Sequence, residues 1–282
     1  MGDDGDMLLS PFFKYLGLMF LFASASLVFA WQNIPDGKLH MTFLDIGQGD
    51  SIFVVTPENH KILIDGGPKD NVLTELDAVM PYFDNNIDLL ILTHPDSDHV
   101  DGFAQIIKRY KVHNILITGV ENSNPSYHEF LKEISDQNIN YIIAKADTDF
   151  KFGDVVFDVL YPLEPFEGRK FETPNDSSIV IKIFYKGNRI LLTGDIEKKG
   201  ELELIDAKID LAAELLKVGH HGSKTSSTLE FLNLVDPDFA VIQSGKDNQF
   251  GHPSVQTLNN LMEVGIKKIL RNDQLGRIEF VF

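Results

Sequence analysis

Two stretches of this 282-residue chain repeat one another. KILIDGG, starting at Lys61, leads 33 residues on to LLILTH ending at His94, and RILLTGD, starting at Arg189, leads 31 residues on to ELLKVGH ending at His220. In both, a short apolar run closes on a polar turn and the chain returns as a second apolar run, with a helical pattern from Glu197 between the two runs of the second copy. A duplication of that kind predicts two similar βα halves, each a buried sheet with helices on its outer face, packed sheet to sheet. The expected fold class is therefore α/β, a four-layer αββα sandwich. His94, Asp195 and His220 end strands on one edge of it, where βα loops gather polar groups.

Further runs fill in the halves. LHMTFLDI from Leu39, SIFVVT from Ser51 and KILID from Lys61 read as a meander of buried strands, broken by the turns Gly47-Gln48-Gly49-Asp50 and Gly66-Gly67. Strands then alternate with helices through Ile143, and the second half starts near Ser177 and ends in the strand GRIEFVF. These runs define a domain over residues 38–282. Residues 1–32 read differently: Tyr15 to Trp31 carries no charge over 17 residues, near the lower length for a membrane-spanning helix. A membrane anchor and a signal segment cleaved after Val28-Phe29-Ala30 are both open. A core helix is disfavoured because the run is apolar on every face and abuts Pro35-Asp36-Gly37. With Lys14 kept inside, either membrane reading puts the remainder outside the cytoplasm.

The chain has no cysteine, which removes disulfides, thiolate zinc sites and thiol nucleophiles, so any metal must rest on His, Asp or Glu. Thr93-His94-Pro95-Asp96-Ser97-Asp98-His99 places four potential ligands within six residues, between a buried strand and a helix. An Asp-rich helix start accounts for the aspartates alone, but not for histidines bracketing them. Three more polar strand ends follow: Asp195 in Thr193-Gly194-Asp195, the doublet in His220-His221-Gly222-Ser223-Lys224, and His252 in Gly251-His252-Pro253.

The ordered set HxDxDH, TGD and HHGS, preceded by FLDIGQGDS and IDGG, resembles the metallo-β-lactamase superfamily, and within it the ComEC family of DNA-uptake competence proteins, over essentially Leu39 to Phe282. That resemblance implies a metallo-β-lactamase sandwich with two divalent metal ions, zinc or manganese. His94 and Asp96 then hold one ion, Asp98 and His99 the second, and Asp195 bridges both. Either His221 or His220 completes the second site, and His220 is alternatively a proton donor beside the leaving group. Asp98 also orients the attacking water. The superfamily more often has His where Asp96 stands, and another near Asn175. The first site is thus richer in oxygen, which tilts it toward manganese or magnesium. The chain has room for one span only, so the resemblance implies a standalone relative.

Lys224 and Ser223 are placed to hold an anionic group, and the flexible ammonium of Lys224 suits a phosphodiester; an ordinary surface lysine is the other reading. Asn175 and Ser178 contact substrate or complete the first metal site, or else form a turn. His252 either faces the same edge or opens a helix before Pro253. Asp65 and Asp45 end strands and are candidates to orient ligating histidines.

The function expected is a metal-dependent hydrolase, a phosphodiesterase or nuclease acting on DNA outside the membrane, with competence or uptake proteins as partners. The formal charge of −17 opposes bulk attraction of DNA, so a local basic patch near Lys224, Lys246 and Arg271 is required. A small phosphodiester head group, such as a choline-phosphate ester, meets less repulsion. Lactone or thioester hydrolysis uses the same metal logic. A membrane-anchored, non-catalytic binding component is the reading of another class.

Overall fold

The computed structural model describes residues 11–32, 35–69, 71–81 and 84–282; the acidic start of segment 1–32, with Asp3, Asp4 and Asp6, lies outside them. The elements run α1 (Pro11–Gln32), β1 (His40–Phe43), β2 (Ile52–Val55), β3 (Lys61–Ile64), α2 (Asn71–Val79), β4 (Asn86–Ile91), α3 (Ser97–Val100), α4 (Phe103–Arg109), β5 (Lys111–Ile117), α5 (Pro125–Asp136) and β6 (Asn140–Ile143). They continue with β7 (Phe150–Phe152), β8 (Val155–Tyr161), β9 (Val180–Tyr185), β10 (Asn188–Leu192), α6 (Lys198–Asp206), β11 (Leu215–Lys217), α7 (Leu229–Val235), β12 (Phe239–Ile242), α8 (Val255–Glu263), β13 (Lys268–Arg271), α9 (Asn272–Leu275) and β14 (Ile278–Val281).

The repeat in the sequence is a repeat in strand pairing. One sheet has the order β14-β1-β2-β3-β4-β5-β6, the other β13-β12-β11-β10-β9-β8-β7. In each, an antiparallel half changes to a parallel half at the repeated strand: β2–β3 is antiparallel and β3–β4 parallel, as β9–β10 is antiparallel and β10–β11 parallel. Three apolar layers follow from side-chain alternation along the strands. Ile52 and Val54 of β2 face Phe157 and Ile181 in the layer between the sheets. Phe53, between them in sequence, faces the opposite way, toward Phe103, Ile106 and Phe130 of the first helical layer. Leu191 and Leu216 pack against Leu204, Phe231 and Leu261 on the far side of the second sheet. The result is the expected αββα stacking.

Three points differ from the sequence reading. The second sheet begins at Phe150 rather than near Ser177, because the hairpin β7–β8 supplies its antiparallel end. Helix α2 was not anticipated; only Val72 and Leu76 are buried on it, too few to show a period. At the N-terminus a helix does form, but among the described residues none is long and apolar enough to cross a membrane. The uncharged run contains Gly17, Ser24 and Ser26, and the Ser24 hydroxyl turns back to the Leu21 carbonyl at 2.9 Å.

The turn after β3 is clamped to the loop after β4. Gly66 N–H donates to the His99 carbonyl at 2.7 Å and Gly102 N–H to the Gly67 carbonyl at 3.2 Å. A Cβ at Gly102 would collide with the Gly66 carbonyl oxygen, so the segment that follows His99 can lie there only without a side chain. Gly102→Ala is therefore expected to lower stability by about 1–3 kcal/mol, as overpacking does, read as a fall in the thermal midpoint; an unchanged midpoint would contradict this packing.

Candidate metal centre

The parallel strands β3, β4, β10, β11 and β12 all end on one rim of the sandwich, and each delivers a polar residue there. Thr93, at the end of β4, donates its N–H and its hydroxyl to the two Asp65 carboxylate oxygens at 2.8 and 2.7 Å. Asp65 also accepts from His99 Nδ1 at 2.8 Å. That bond selects the tautomer and turns Nε2 of His99 inward, as a carboxylate behind a metal-binding histidine does.

His221 arrives from the second sheet. Residues 220 and 221 are both left-handed, with φ of 48° and 52°, a conformation costing non-glycine residues about 1–3 kcal/mol each. Its effect is to point the two imidazoles in different directions. His221 Nδ1 donates to the Gln243 carbonyl at 2.9 Å, and its Nε2 stands 3.1 Å from Asp98 Oδ2 and 3.1 Å from Asp195 Oδ2. His99 Nε2 lies 3.3 Å from the same Asp195 oxygen and 4.0 Å from Asp98 Oδ1. Ring centroids of His94 and His99 are 4.1 Å apart, and His94 Nε2 is 3.6 Å from Asp96 Oδ2. The structure thus brings His94, Asp96, Asp98, His99, Asp195 and His221 together.

Buried polar atoms are nearly always hydrogen-bonded, yet His94 Nε2, His99 Nε2 and Asp195 Oδ1 have no partner. Asp50, His99, Asp195 and His221, all buried, offer donor atoms within 4.8 Å of one another. Imidazole and carboxylate groups converging on one buried point are a donor set that fits a divalent cation.

Asp50 and Lys217 were missed by sequence reasoning. Asp50 sits behind His221, its Oδ1 3.2 Å from His221 Nδ1, and its other oxygen pairs with the fully buried Lys217 ammonium. Lys217 also lies 3.6 Å from Asp195 Oδ1 and donates to the Gly194 carbonyl at 3.2 Å. The signal was present, since a lysine inside the apolar strand ELLKVG is rarely buried unless paired. Gly49 allows the approach: Asp50 N–H donates to the Asp98 carbonyl at 3.2 Å, where a Cβ on Gly49 would collide with that oxygen.

Charge in this cluster is divided sharply. Burial pushes the His99 and His221 imidazoles down, but Asp195 acts on both, with Asp65 on the first and Asp50 on the second, and holds them well above the ordinary imidazole range. Burial likewise opposes ionisation of Asp195 and Asp98, and is outweighed by His221 and His99. His220 and His252 go the other way, lowered chiefly by burial.

Outside the cluster, His220 faces the rim. Its Nδ1 is 3.1 Å from Glu197 Oε1 and 3.1 Å from Thr225 Oγ1, and Asn175 Nδ2 is 3.3 Å from its Nε2. The His252 ring joins the same rim, 5.6 Å from that of His220. The serines are buried beside the rim. Ser178 is fully buried and accepts from Asp195 N–H at 3.0 Å; Ser223 is buried and its hydroxyl is engaged with Thr225 at 3.0 Å. Asp65 orients a histidine as anticipated, whereas Asp45 is exposed and away from the rim. The expected basic patch is also relocated: Arg271 is tied to Asp273 at 2.9 and 2.5 Å, and Lys224 lies with Lys198 and Lys199 in a cleft of about 600 Å³.

Residues 44–246 match the Metallo-beta-lactamase superfamily. ComE operon protein 3 of Bacillus subtilis (strain 168) is 33% identical over 262 residues, covering 87% of this chain and 33% of that protein. Competence protein ComA of Neisseria gonorrhoeae is 32% identical over 254 residues, 88% of this chain and 33% of that protein. The chain spans about a third of the length of these curated relatives. Among solved structures, the metallo-beta-lactamase fold protein YhfI from Bacillus subtilis aligns with a TM-score of 0.58 at 11% identity, over 87% of this chain and 100% of that one, a likeness of fold.

Two outcomes follow from the charge cluster. His99 and His221 hold protons above their ordinary range in the metal-free protein, and a cation must displace them. Metal affinity should therefore fall as pH falls, with up to about two protons released per ion, read by calorimetry in buffers of different ionisation enthalpy; pH-independent binding would refute it. Lys217→Met removes the buried ammonium that Asp50 and Asp195 share, leaving His221 as the buried cation between them, and should cost about 3–5 kcal/mol, measured by denaturant unfolding of the metal-free protein.

Proposed function

We propose that this chain, which belongs to the metallo-beta-lactamase superfamily, is a metal-dependent phosphodiesterase that cleaves DNA outside the cytoplasmic membrane. The observation that carries the reading is the convergence of six ligand-type side chains on one rim with His94 Nε2, His99 Nε2 and Asp195 Oδ1 unpartnered. Two ions are the arrangement we favour: His94 and Asp96 on the first, Asp98, His99 and His221 on the second, Asp195 between them, with manganese or zinc as the metal. Bound there, divalent cations would lower the pKa of a water and neutralise charge growing on a phosphoryl oxygen.

The chain's own residues supply the rest. Asp98 is held ionised, and its side chain is 33% exposed, so a carboxylate oxygen is available to accept a hydrogen bond from the attacking water and aim it. Asp65 and the Gln243 carbonyl keep the ring orientations of His99 and His221. His220 is the one member of the doublet on the open rim; with Nδ1–H turned to Glu197, it can pass a proton from Nε2 to the leaving oxygen only as the imidazolium, a form that burial makes more acidic and so a readier donor.

The likeness to competence proteins over most of the chain supports DNA as substrate and uptake proteins as partners. Membrane attachment belongs to the same reading: Leu16, Leu18, Met19, Phe20, Leu21 and Phe22 of α1 are 48–79% exposed, apolar surface that a lipid boundary would cover. A second reading has one observation in its favour. The groove of about 1480 Å³ that opens at Asp96 is lined by Glu121, Glu167 and Glu172 with Phe171 and Tyr141, a setting for a cationic head group rather than a polyanion.

Labelled single-stranded and double-stranded DNA and a small chromogenic phosphodiester, offered to the full chain loaded with manganese or zinc, separate the two. DNA cleavage should fall by about 10²–10⁴-fold in Asp98→Ala. Undiminished cleavage by that variant would sink the proposed role of Asp98, and turnover of the small ester alone would favour the head-group reading.

A further inference from the structure

We infer that the cleft lined by Lys198, Lys199 and Lys224 is the track along which the phosphate backbone of single-stranded DNA approaches the catalytic rim. The inference rests on the phosphodiesterase reading and adds the route and the strand state of the substrate. Three of the ten residues lining this cleft are lysines, against one carboxylate, Glu197, in a chain whose formal charge is −17. Glu197 is already committed, accepting from the Thr225 hydroxyl at 3.0 Å and Asn175 Nδ2 at 3.2 Å. Lys199 lies 3.4 Å from Asp176 Oδ2 in an exposed contact. Lys198 and Lys224 are exposed and, among the described residues, have no carboxylate within ion-pair distance. The local field is positive where the whole-chain field is negative, which is the condition for a polyanion to be guided to one place and rejected elsewhere.

The cleft is joined to the site by shared residues. Thr225 and Glu197, which line it, are the two side chains that flank His220 Nδ1, at 3.1 Å each. Lys198 N–H donates to the Thr225 carbonyl at 2.9 Å, so the lysine-bearing start of α6 and the loop that carries Lys224 move as one wall. A strand laid along the lysines therefore ends against the His220 side of the rim. The remaining lining includes Ser226, Thr228, Gln256 and Asn260, with no aromatic ring for base stacking. Contacts of this kind bind phosphates without reading bases. The acidic groove at Asp96 repels the same backbone and leaves the lysine cleft as the favourable entry. The cleft's modest size, about 600 Å³, suits one strand rather than a duplex.

The test is binding of a fluorescein-labelled single-stranded oligonucleotide by the full chain, followed by anisotropy in chelator across a salt series, so that no cleavage contributes. Lys198→Gln/Lys224→Gln is compared with Lys111→Gln/Lys151→Gln, which removes the same charge from exposed sites elsewhere. The cleft variant should bind several-fold more weakly whatever the base sequence. The slope of log affinity against log salt should be shallower by about 1.4, the value for two fewer phosphate contacts on a single strand. The control should keep both affinity and slope. Equal weakening in the two variants, an unchanged cleft variant, or no binding by the unaltered chain would each overturn the proposal. Binding lost through the cleft variant in a protein that never cleaves DNA would leave the track standing and reject the nuclease reading. Cleavage by the unaltered chain with binding indifferent to the cleft lysines would do the reverse.

Discussion

A buried ammonium holds the two sheets together at the point where the chemistry is to happen. Lys217, the last residue of β11 in the second sheet, reaches Asp50 in the loop between β1 and β2 of the first, and stands 3.6 Å from Asp195 as well. An ion pair taken out of water gains little net stability, but it is costly to break, so it fixes geometry. The neutral stitches around it act in the same sense: Gln243 donates from the second sheet to the Leu44 and Ser51 carbonyls of the first at 3.2 and 3.0 Å, and Ile179 N–H donates to the Thr93 carbonyl at 3.0 Å.

This arrangement explains why so much charge can be buried at one rim. Four carboxylates, Asp50, Asp65, Asp98 and Asp195, surround His99 and His221, and without cations they would repel one another. Lys217 supplies one fixed positive charge, and protons on His99 and His221 supply the rest in the metal-free protein. The protons are replaceable and the lysine is not. A cluster of this kind could exchange protons for a cation while keeping its shape, and the strained turn at residues 220–222 is held because His221 and its neighbours are over-determined by these contacts.

The rim has two flanks of opposite sign. On one, Asp96 opens into the groove with Glu121, Glu167 and Glu172; on the other, His220, Glu197 and Thr225 back onto the lysine cleft. Under the proposed reading, local asymmetry of this kind reconciles a strongly acidic chain with a polyanionic substrate. Average charge governs solubility and long-range repulsion, whereas three exposed lysines make the local charge of this one flank positive.

The architecture and most residues of the clustered rim were legible in the sequence because they depend on local order. Strand, turn and helix recur around Lys61 and Arg189, and His94, Asp96, Asp98 and His99 sit within six residues, so they fall together in the loop after β4 and the helix that opens from it. Asp65 could be anticipated as an orienting group for the same reason. Three things depended on residues distant in the chain and were decided only by the tertiary structure. Which histidine of the doublet turns inward is set by left-handed backbone at both positions and by the Gln243 carbonyl, 22 residues on. The burial of Ser178 and Ser223 follows from packing of one loop on another. Lys217 with Asp50, and Lys198 and Lys199 with Lys224, become partners only when the sheets stack and α6 docks on the loop after β11. Hydrophobic alternation specifies that two sheets must meet, but the identity of the polar side chains that share the seam is fixed by the register in which they close.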